Sequence, residues 1–167
     1  MNIEYRSARL EDLSEIMSMV KNCIVTMERN NIFQWDELYP ASEDFAEDIH
    51  NDSLYVGLHD GKIAVAFALN QQSDEEYNSG KWMYPDREYY VIHRLCVNCF
   101  FQNKGVGKQT LQFIEEKLKA QNIRAVRLDV FSGNPYAVSL YTHMGYCKVG
   151  HADWRKGRFY LMEKYLQ

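Results

Sequence analysis

At 167 residues the chain is long enough to bury one core and short for two, and 46% hydrophobic with 25% charged residues is the balance of a folded globular domain. A formal net charge of -4 argues against general nucleic-acid binding and suits a neutral or cationic small partner. The N-terminus MNIEYRSARLEDL is charged from its first residues and no later run reaches the length of a membrane span, so the expectation is a cytoplasmic enzyme with no membrane partner.

Ile3 to Arg6 alternates apolar and polar residues and predicts a short first strand. Leu13, Ile16, Met17, Val20 and Ile24 then recur at spacings of three and four, the stripe of an amphipathic helix that breaks near Asn30 or Asn31. NNIFQWDELYP reads as an aromatic-rich connection. Ser42 opens SEDFAEDIHN as the hydroxyl N-cap of a second, short helix, with Glu43 and Asp44 in its first turn. Leu54 to His59 is a strand, Asp60-Gly61 a two-residue hairpin turn, and KIAVAFALN the antiparallel partner. Residues 71 to 87, with Gly80 and Pro85 and no sustained period, form a long loop. Its Trp82, Met83 and Tyr84 suit packing back over a pocket or into an interface.

EYYVIHRLCV, residues 88 to 97, is rich in β-branched and aromatic residues and predicts a central strand. Leu111, Ile114 and Leu118 mark a helix from Gly105 to the neighbourhood of Ala120, with Glu115 and Lys119 as an i,i+4 ion pair. IRAVRLDVF is the next strand. Asn134 and Pro135 supply the N-cap and first turn of a helix that stops at Gly145. YCKVGHADW and RFYLMEKYL close the chain as a hairpin. Of the cysteines Cys23, Cys96, Cys99 and Cys147, the pair Cys96 and Cys99 forms a CxxC with no second ligand pair, so reduced thiols and no metal are expected.

The stretch QNKGVG, residues 102 to 107, lies between the central strand and a helix. Its two glycines let the backbone approach a ligand, and the first amides of the helix, at the positive end of its dipole, make an anion site suited to phosphate. Two stronger phosphate motifs fail by counting. The third glycine of GxGxxG would fall on Thr110, and GxxxxGKS/T would need glycine at Gln102 and a hydroxyl residue at Gln109. QxxGxG remains.

With that loop inside HRLCVNCFFQNKGVGKQTLQFIEE, and with NPYAVSLYTHMGY downstream, the chain resembles the GNAT superfamily of N-acetyltransferases, whose blocks are Q/RxxGxG/A and NxxAxxLYxxxGF/Y. The resemblance implies one α/β (α+β) domain over residues 1–167, a mixed, mostly antiparallel sheet of about seven strands flanked by helices, with a central strand pair splayed by a bulge. It implies transfer of acetyl from the co-substrate acetyl-coenzyme A to a primary amine of a small molecule or peptide, by direct attack in a ternary complex. A non-catalytic coenzyme A binding or sensing module, or an acyltransferase with another donor or acceptor, is the alternative. A homodimer stays open.

By the same resemblance, Gln102, Asn103, Lys104, Gly105, Val106, Gly107 and Lys108 surround the pyrophosphate. Leu95, Cys96 and Val97 offer backbone groups to the pantetheine arm, with the Val97 amide as the candidate oxyanion donor. Asn134 contacts the coenzyme arm or serves only as a cap. Tyr141 protonates the leaving thiolate or is core. An amine of pKa ~10.4 is only about one part in a thousand neutral near pH 7, so a base is needed. The candidates are His93 and Glu88, then Asp129, which could instead pair with Arg127. Phe33, Trp35, Trp82, Tyr84 and Tyr89 form the expected substrate wall, with core packing the alternative for each.

Overall fold

Residues 1–167 are described by a computed structural model. In chain order it forms β1 (Glu4–Ser7), α1 (Leu13–Arg29), α2 (Ser42–His50), β2 (Leu54–His59), β3 (Lys62–Asn70), β4 (Tyr89–Val97), α3 (Val106–Ala120), β5 (Ala125–Phe131), α4 (Pro135–His143), β6 (Cys147–Trp154) and β7 (Gly157–Tyr165). The sheet has seven strands in the order β1-β2-β3-β4-β5-β7-β6. The β4–β5 pair is parallel and the ladders β1–β2, β2–β3, β5–β7 and β6–β7 are antiparallel, the mixed sheet expected. The parallel ladder runs from Tyr89↔Ala125 only to Ile92↔Leu128. Two residues later the backbone of β4 turns left-handed, with φ 50 at Arg94. That break is the bulge, and it ends the simple alternation of His93 and Arg94 that a regular strand would impose. No helix is long and apolar enough to cross a membrane.

The chain clusters into two compact units. One comprises Met1–Leu69 with Arg94–Thr110, the other Asn70–His93 with Leu111–Gln167.

In the first unit the buried line of α1 is Ile16, Met19, Val20 and Cys23, packed with Phe45 of α2, Leu54 and Val56 of β2, and Ile63, Ala66 and Ala68 of β3. Glu15 fixes the helix to the sheet by accepting the Ile63 amide at 2.9 Å. Asp60 and Gly61 both have positive φ, 48 and 76, the backbone that lets a two-residue turn follow strand twist. The cap of α2 differs from expectation. Ala41 is the capping residue and Ser42 the first helical one, and Asp44 turns back to accept the Ala41 amide at 2.7 Å. The carboxylate three residues into the helix outcompetes the hydroxyl, since it also favours the dipole's positive end. Arg6 of β1 grips Asp12 with two bonds of 2.7 and 2.9 Å.

In the second unit a core of Tyr77, Val91, Ala152 and Leu161 is flanked by Trp82, Tyr89, Val149 and Trp154. The long loop packs back, as its aromatics suggest. A turn of 3-10 helix, Glu75–Ser79, buries Tyr77, and Trp82 Nε1 donates to the Tyr77 carbonyl at 2.8 Å. The Lys81 amide donates to the Val149 carbonyl of β6 at 2.9 Å. Arg127 pairs with Glu163 of β7 (Nε to Oε2, 3.0 Å), not with Asp129, and lies between the rings of Trp82 and Tyr89 at 4.2 and 3.8 Å. Glu115 likewise pairs with Lys164, at 2.8 and 2.9 Å, rather than with Lys119. For Glu115 a half-buried Lys164 competes well against the exposed Lys119, and for Arg127 the directly opposite, fully buried Glu163 wins while Asp129 accepts the Tyr77 hydroxyl. The β6–β7 register shifts between Lys148 and Gly150, leaving Val149 as an extra residue in β6.

Candidate active site

In the first unit β4 ends at Val97 and is tied down at once. The Asn98 amide donates to the Ala64 carbonyl at 2.8 Å, and its side chain donates to the Ile63 carbonyl at 2.9 Å while accepting the Phe100 amide at 3.0 Å. After one 3-10 turn, Cys99–Phe101, the loop residues Gln102, Asn103, Lys104 and Gly105 are exposed. Asn103 has φ 60 and Gly105 φ 79, and no heavy atom lies within 4 Å of where a Gly105 Cβ would stand. Glycine is needed for the backbone conformation, and the space beside it is open to a ligand. Val106 anchors the helix start in a cluster with Ile3, Ala64 and Val65. Thr110 reinforces that turn, donating to the Val106 carbonyl at 2.8 Å and meeting the Tyr5 hydroxyl at 3.0 Å. The Gln109 amide makes the first helical bond, to Gly105 at 3.0 Å, so the amides of Val106, Gly107 and Lys108 precede it. Exposed Lys104 and Lys108 add charge, and the cradle fits a pyrophosphate.

Leu95, Cys96 and Val97 precede this cradle. The Cys96 side chain is buried in the α1 core, 3.2 Å from Cys23 Sγ, and Cys23 donates to the Val97 carbonyl at 3.2 Å. The bond to Cys23, with burial, pushes the Cys96 thiol well above its ordinary pKa. Cys96 is thus a packed thiol, and only its backbone is left for a ligand. Arg94, at the bulge, donates to both oxygens of Asp48 on α2, at 2.7 and 2.6 Å, and to the Tyr39 hydroxyl at 3.1 Å. Burial moves the Asp48 carboxyl up while Arg94 pulls it down.

In the second unit Asn134 caps α4, its Oδ1 accepting the Ala137 amide at 3.1 Å, as its position before Pro135 implied. Tyr141 on α4 is 7% exposed and sits edge-on to Tyr146 with centroids 5.8 Å apart. Burial, then the charge of Asp129, raise its phenol far above the ordinary value of 10. Asp129 accepts the Tyr77 hydroxyl at 2.6 Å. His93 Nε2 lies 2.9 Å from Asn70 Oδ1 and 3.0 Å from the Gln72 carbonyl. Two acceptors there place a proton on Nε2. Glu88 is exposed and accepts from Gln71 Nε2 at 3.1 Å.

The expected aromatic wall divides. Phe33 is 52% exposed, whereas Trp35 is 7% exposed and belongs to the α1–α2 core. Trp82 and Tyr89 enclose Arg127, and Tyr84 stacks on Tyr165 at 4.8 Å. Asp48, Arg94 and Tyr77 were not singled out from sequence. Arg94 and Asp48 are 46 residues apart, beyond any helical or strand period, and Tyr77 is one of three aromatics in a polar loop with no spacing to mark it as the buried one.

A family model described as Acetyltransferase (GNAT) family matches residues 22–146, a span that contains both the QNKGVG loop and the NPYAVSLYTHMGY block. The chain belongs to the GNAT acetyltransferase family. Acyl transfer is therefore its reaction class. The S-alkylcysteine N-acetyltransferase of Bacillus subtilis is 21% identical over 85% of this chain and 77% of its own. A GNAT-family acetyltransferase from Streptococcus agalactiae shares the fold with a TM-score of 0.88, at 23% identity over 99% of this chain and 96% of that one. The PaiA N-acetyltransferase of Thermoplasma acidophilum, solved in complex with coenzyme A, superposes with a TM-score of 0.71, at 19% identity and 99% coverage of both chains.

Proposed function

We propose that this GNAT protein transfers acetyl from acetyl-coenzyme A to a primary amine of a small molecule or peptide. The observation that carries the reading is the left-handed, open Gly105 followed by three helix-start amides, directly after the strand that ends at Val97. A relative that acetylates nitrogen and a neighbour solved with coenzyme A support it. Acetyl-coenzyme A supplies an activated acyl group and a thiolate leaving group. Val106, Gly107 and Lys108 would hold its pyrophosphate through their amides, with Lys104 and Lys108 contributing charge. The Val97 amide would donate to the thioester oxygen as the amine lone pair forms the new C–N bond and that oxygen gains charge. By the GNAT resemblance, His93 would take the proton lost by the amine, directly or through water. Tyr141, protonated across the working pH range because burial and Asp129 disfavour its anion, would donate to sulfur as the C–S bond breaks.

The buried, proton-retaining Cys96 supports direct attack over an acyl-enzyme. Thiol release from acetyl-coenzyme A, measured against polyamines, amino acids, aminoglycosides and peptide N-termini, tests the function. At least one amine should accelerate release. Coenzyme A binding without release for any amine would point to a sensor instead. A Cys96→Ala/Cys99→Ala double variant should keep turnover, and loss of turnover with coenzyme binding intact would overturn direct attack.

A further inference from the structure

The bulge in β4 is held in a way that gives a residue on another element a part in the reaction. Arg94 is left-handed, a conformation that side chains with a Cβ avoid and that persists only where the surroundings over-determine it. What determines it here is its guanidinium. Nε and Nη2 form a two-pronged grip on Asp48, and Nη1 reaches the Tyr39 hydroxyl. Asp48 is 5% exposed, and its own backbone is fixed, because its carbonyl accepts both the Ser53 amide at 2.9 Å and the Ser53 hydroxyl at 3.1 Å. One turn earlier on the same helix, Phe45 is locked in the core.

Four residues after Arg94, Asn98 is pinned to β3 through its amide and its side chain. Leu95, Cys96 and Val97 lie between these two points, with the Cys96 thiol and the Val97 carbonyl also held by Cys23, and the backbone angle at Arg94 sets the direction in which the segment enters those contacts. We propose that Asp48 is a positioning residue for acyl transfer, holding Arg94 in its left-handed conformation and so aiming the Val97 amide at the thioester carbonyl. This rests on the assignment of that amide made above. With asparagine in place of the Asp48 carboxylate, the guanidinium keeps at most one of the two bonds, meets an NH2 donor at the other and loses the opposing charge, so it moves toward water and φ at Arg94 relaxes. A displacement of the donor amide on the order of 1 Å lowers turnover about 100-fold.

The test uses acetyl-coenzyme A carrying a 13C carbonyl, so that no acceptor is needed. Bound to the native protein, its carbonyl band should move to lower frequency than in water, because an aimed amide polarises it. Asp48→Asn should abolish most of that displacement while coenzyme A affinity, set by the QNKGVG cradle, is unchanged in calorimetry. Adding Arg94→Gly to Asp48→Asn should restore the displacement, because glycine takes a positive φ without being gripped. A residue that served stability alone would show neither the band change in folded protein nor the rescue. Should Asp48→Asn fail to fold, Arg94→Lys, which keeps the charge but not the two-pronged grip, should show the same loss of displacement. A native-like band in folded Asp48→Asn or Arg94→Lys, or no rescue by glycine, overturns the positioning role. Failure of the native protein to bind coenzyme A overturns the functional reading itself, an outcome distinct from the others.

Discussion

Glu163→Gln isolates the buried charge in the second unit. Glu163 is fully buried and both of its oxygens are used, one by Arg127 Nε at 3.0 Å and the other by the Met83 amide at 2.7 Å. Both partners are donors. A glutamine keeps the shape, yet whichever way its amide is turned, an NH2 group must face either the guanidinium or the Met83 N–H. One hydrogen bond is lost, one donor faces another, and Arg127 keeps its charge with no carboxylate beside it. The rings of Trp82 and Tyr89 at 4.2 and 3.8 Å offset part of this, on the order of 1–2 kcal/mol. Removing one partner of a buried pair costs about 3–5 kcal/mol, so a net loss near 3 kcal/mol is expected. At this chain length that is a fall of about 6–12 °C in Tm, read by calorimetry or circular dichroism. Because Met83 anchors the end of the 71–87 loop, proteolysis should also begin there. A fall of less than about 2 °C would refute the reasoning. The double variant Arg127→Met/Glu163→Met, which removes both charges, should recover much of the loss.

Tyr141→Phe should cut turnover about 100-fold with coenzyme A affinity unchanged, as measured by thiol release and calorimetry. Since the folded tyrosine pKa lies above 10, the donating form is fully present at lower pH, and the native rate profile should show no falling limb from this group below about pH 10. Gly105→Val places a branched side chain at φ 79 and in the ligand space, and should weaken coenzyme A binding at least about 10-fold in calorimetry. Arg6 holds the Asp12 carboxyl below its ordinary value of 3.8. The stability it contributes is therefore present above that value and lost as pH falls through the lower, folded one. Asp12→Asn should flatten the acid side of stability measured by urea midpoints from about pH 5 to about pH 2.

Where chemistry is local, the chain could be read closely. Asp60-Gly61, Asn134-Pro135 and Gly145 each determine a turn or helix end by their own backbone preferences, and each stands where expected. The two blocks around the candidate site are contiguous in sequence for the same reason: a helix-start cradle and a capped helix are built from neighbours. What escaped was pairing at a distance. Glu115 has an ideally spaced Lys119 yet binds Lys164, and Arg127 binds Glu163 although Asp129 is two residues away. Strand registry decides the Arg127 pair and the approach of α3 to β7 the Glu115 pair, and no local spacing encodes either. Trp35 illustrates the other limit, since a tryptophan in an irregular segment serves equally well as a pocket wall or as core. The left-handed Arg94 carries no signal at all, because its backbone is held by a residue on a different helix.

The loop from 71 to 87 has one more consequence, through its contact with the outermost strand. β6 ends the sheet, and an end strand offers unsatisfied peptide groups to any other extended chain. The Lys81 amide already takes the carbonyl of Val149 at the register shift, and the Gly80 Cα stands 3.3 Å from where a Gly150 Cβ would be. The loop thus covers the irregular point of the rim, and the extra residue twists the rest away from flat pairing. Protection against strand-to-strand aggregation therefore rests on a few loop atoms. Shortening this loop would expose a sticky margin, and precipitation would be the first effect observed.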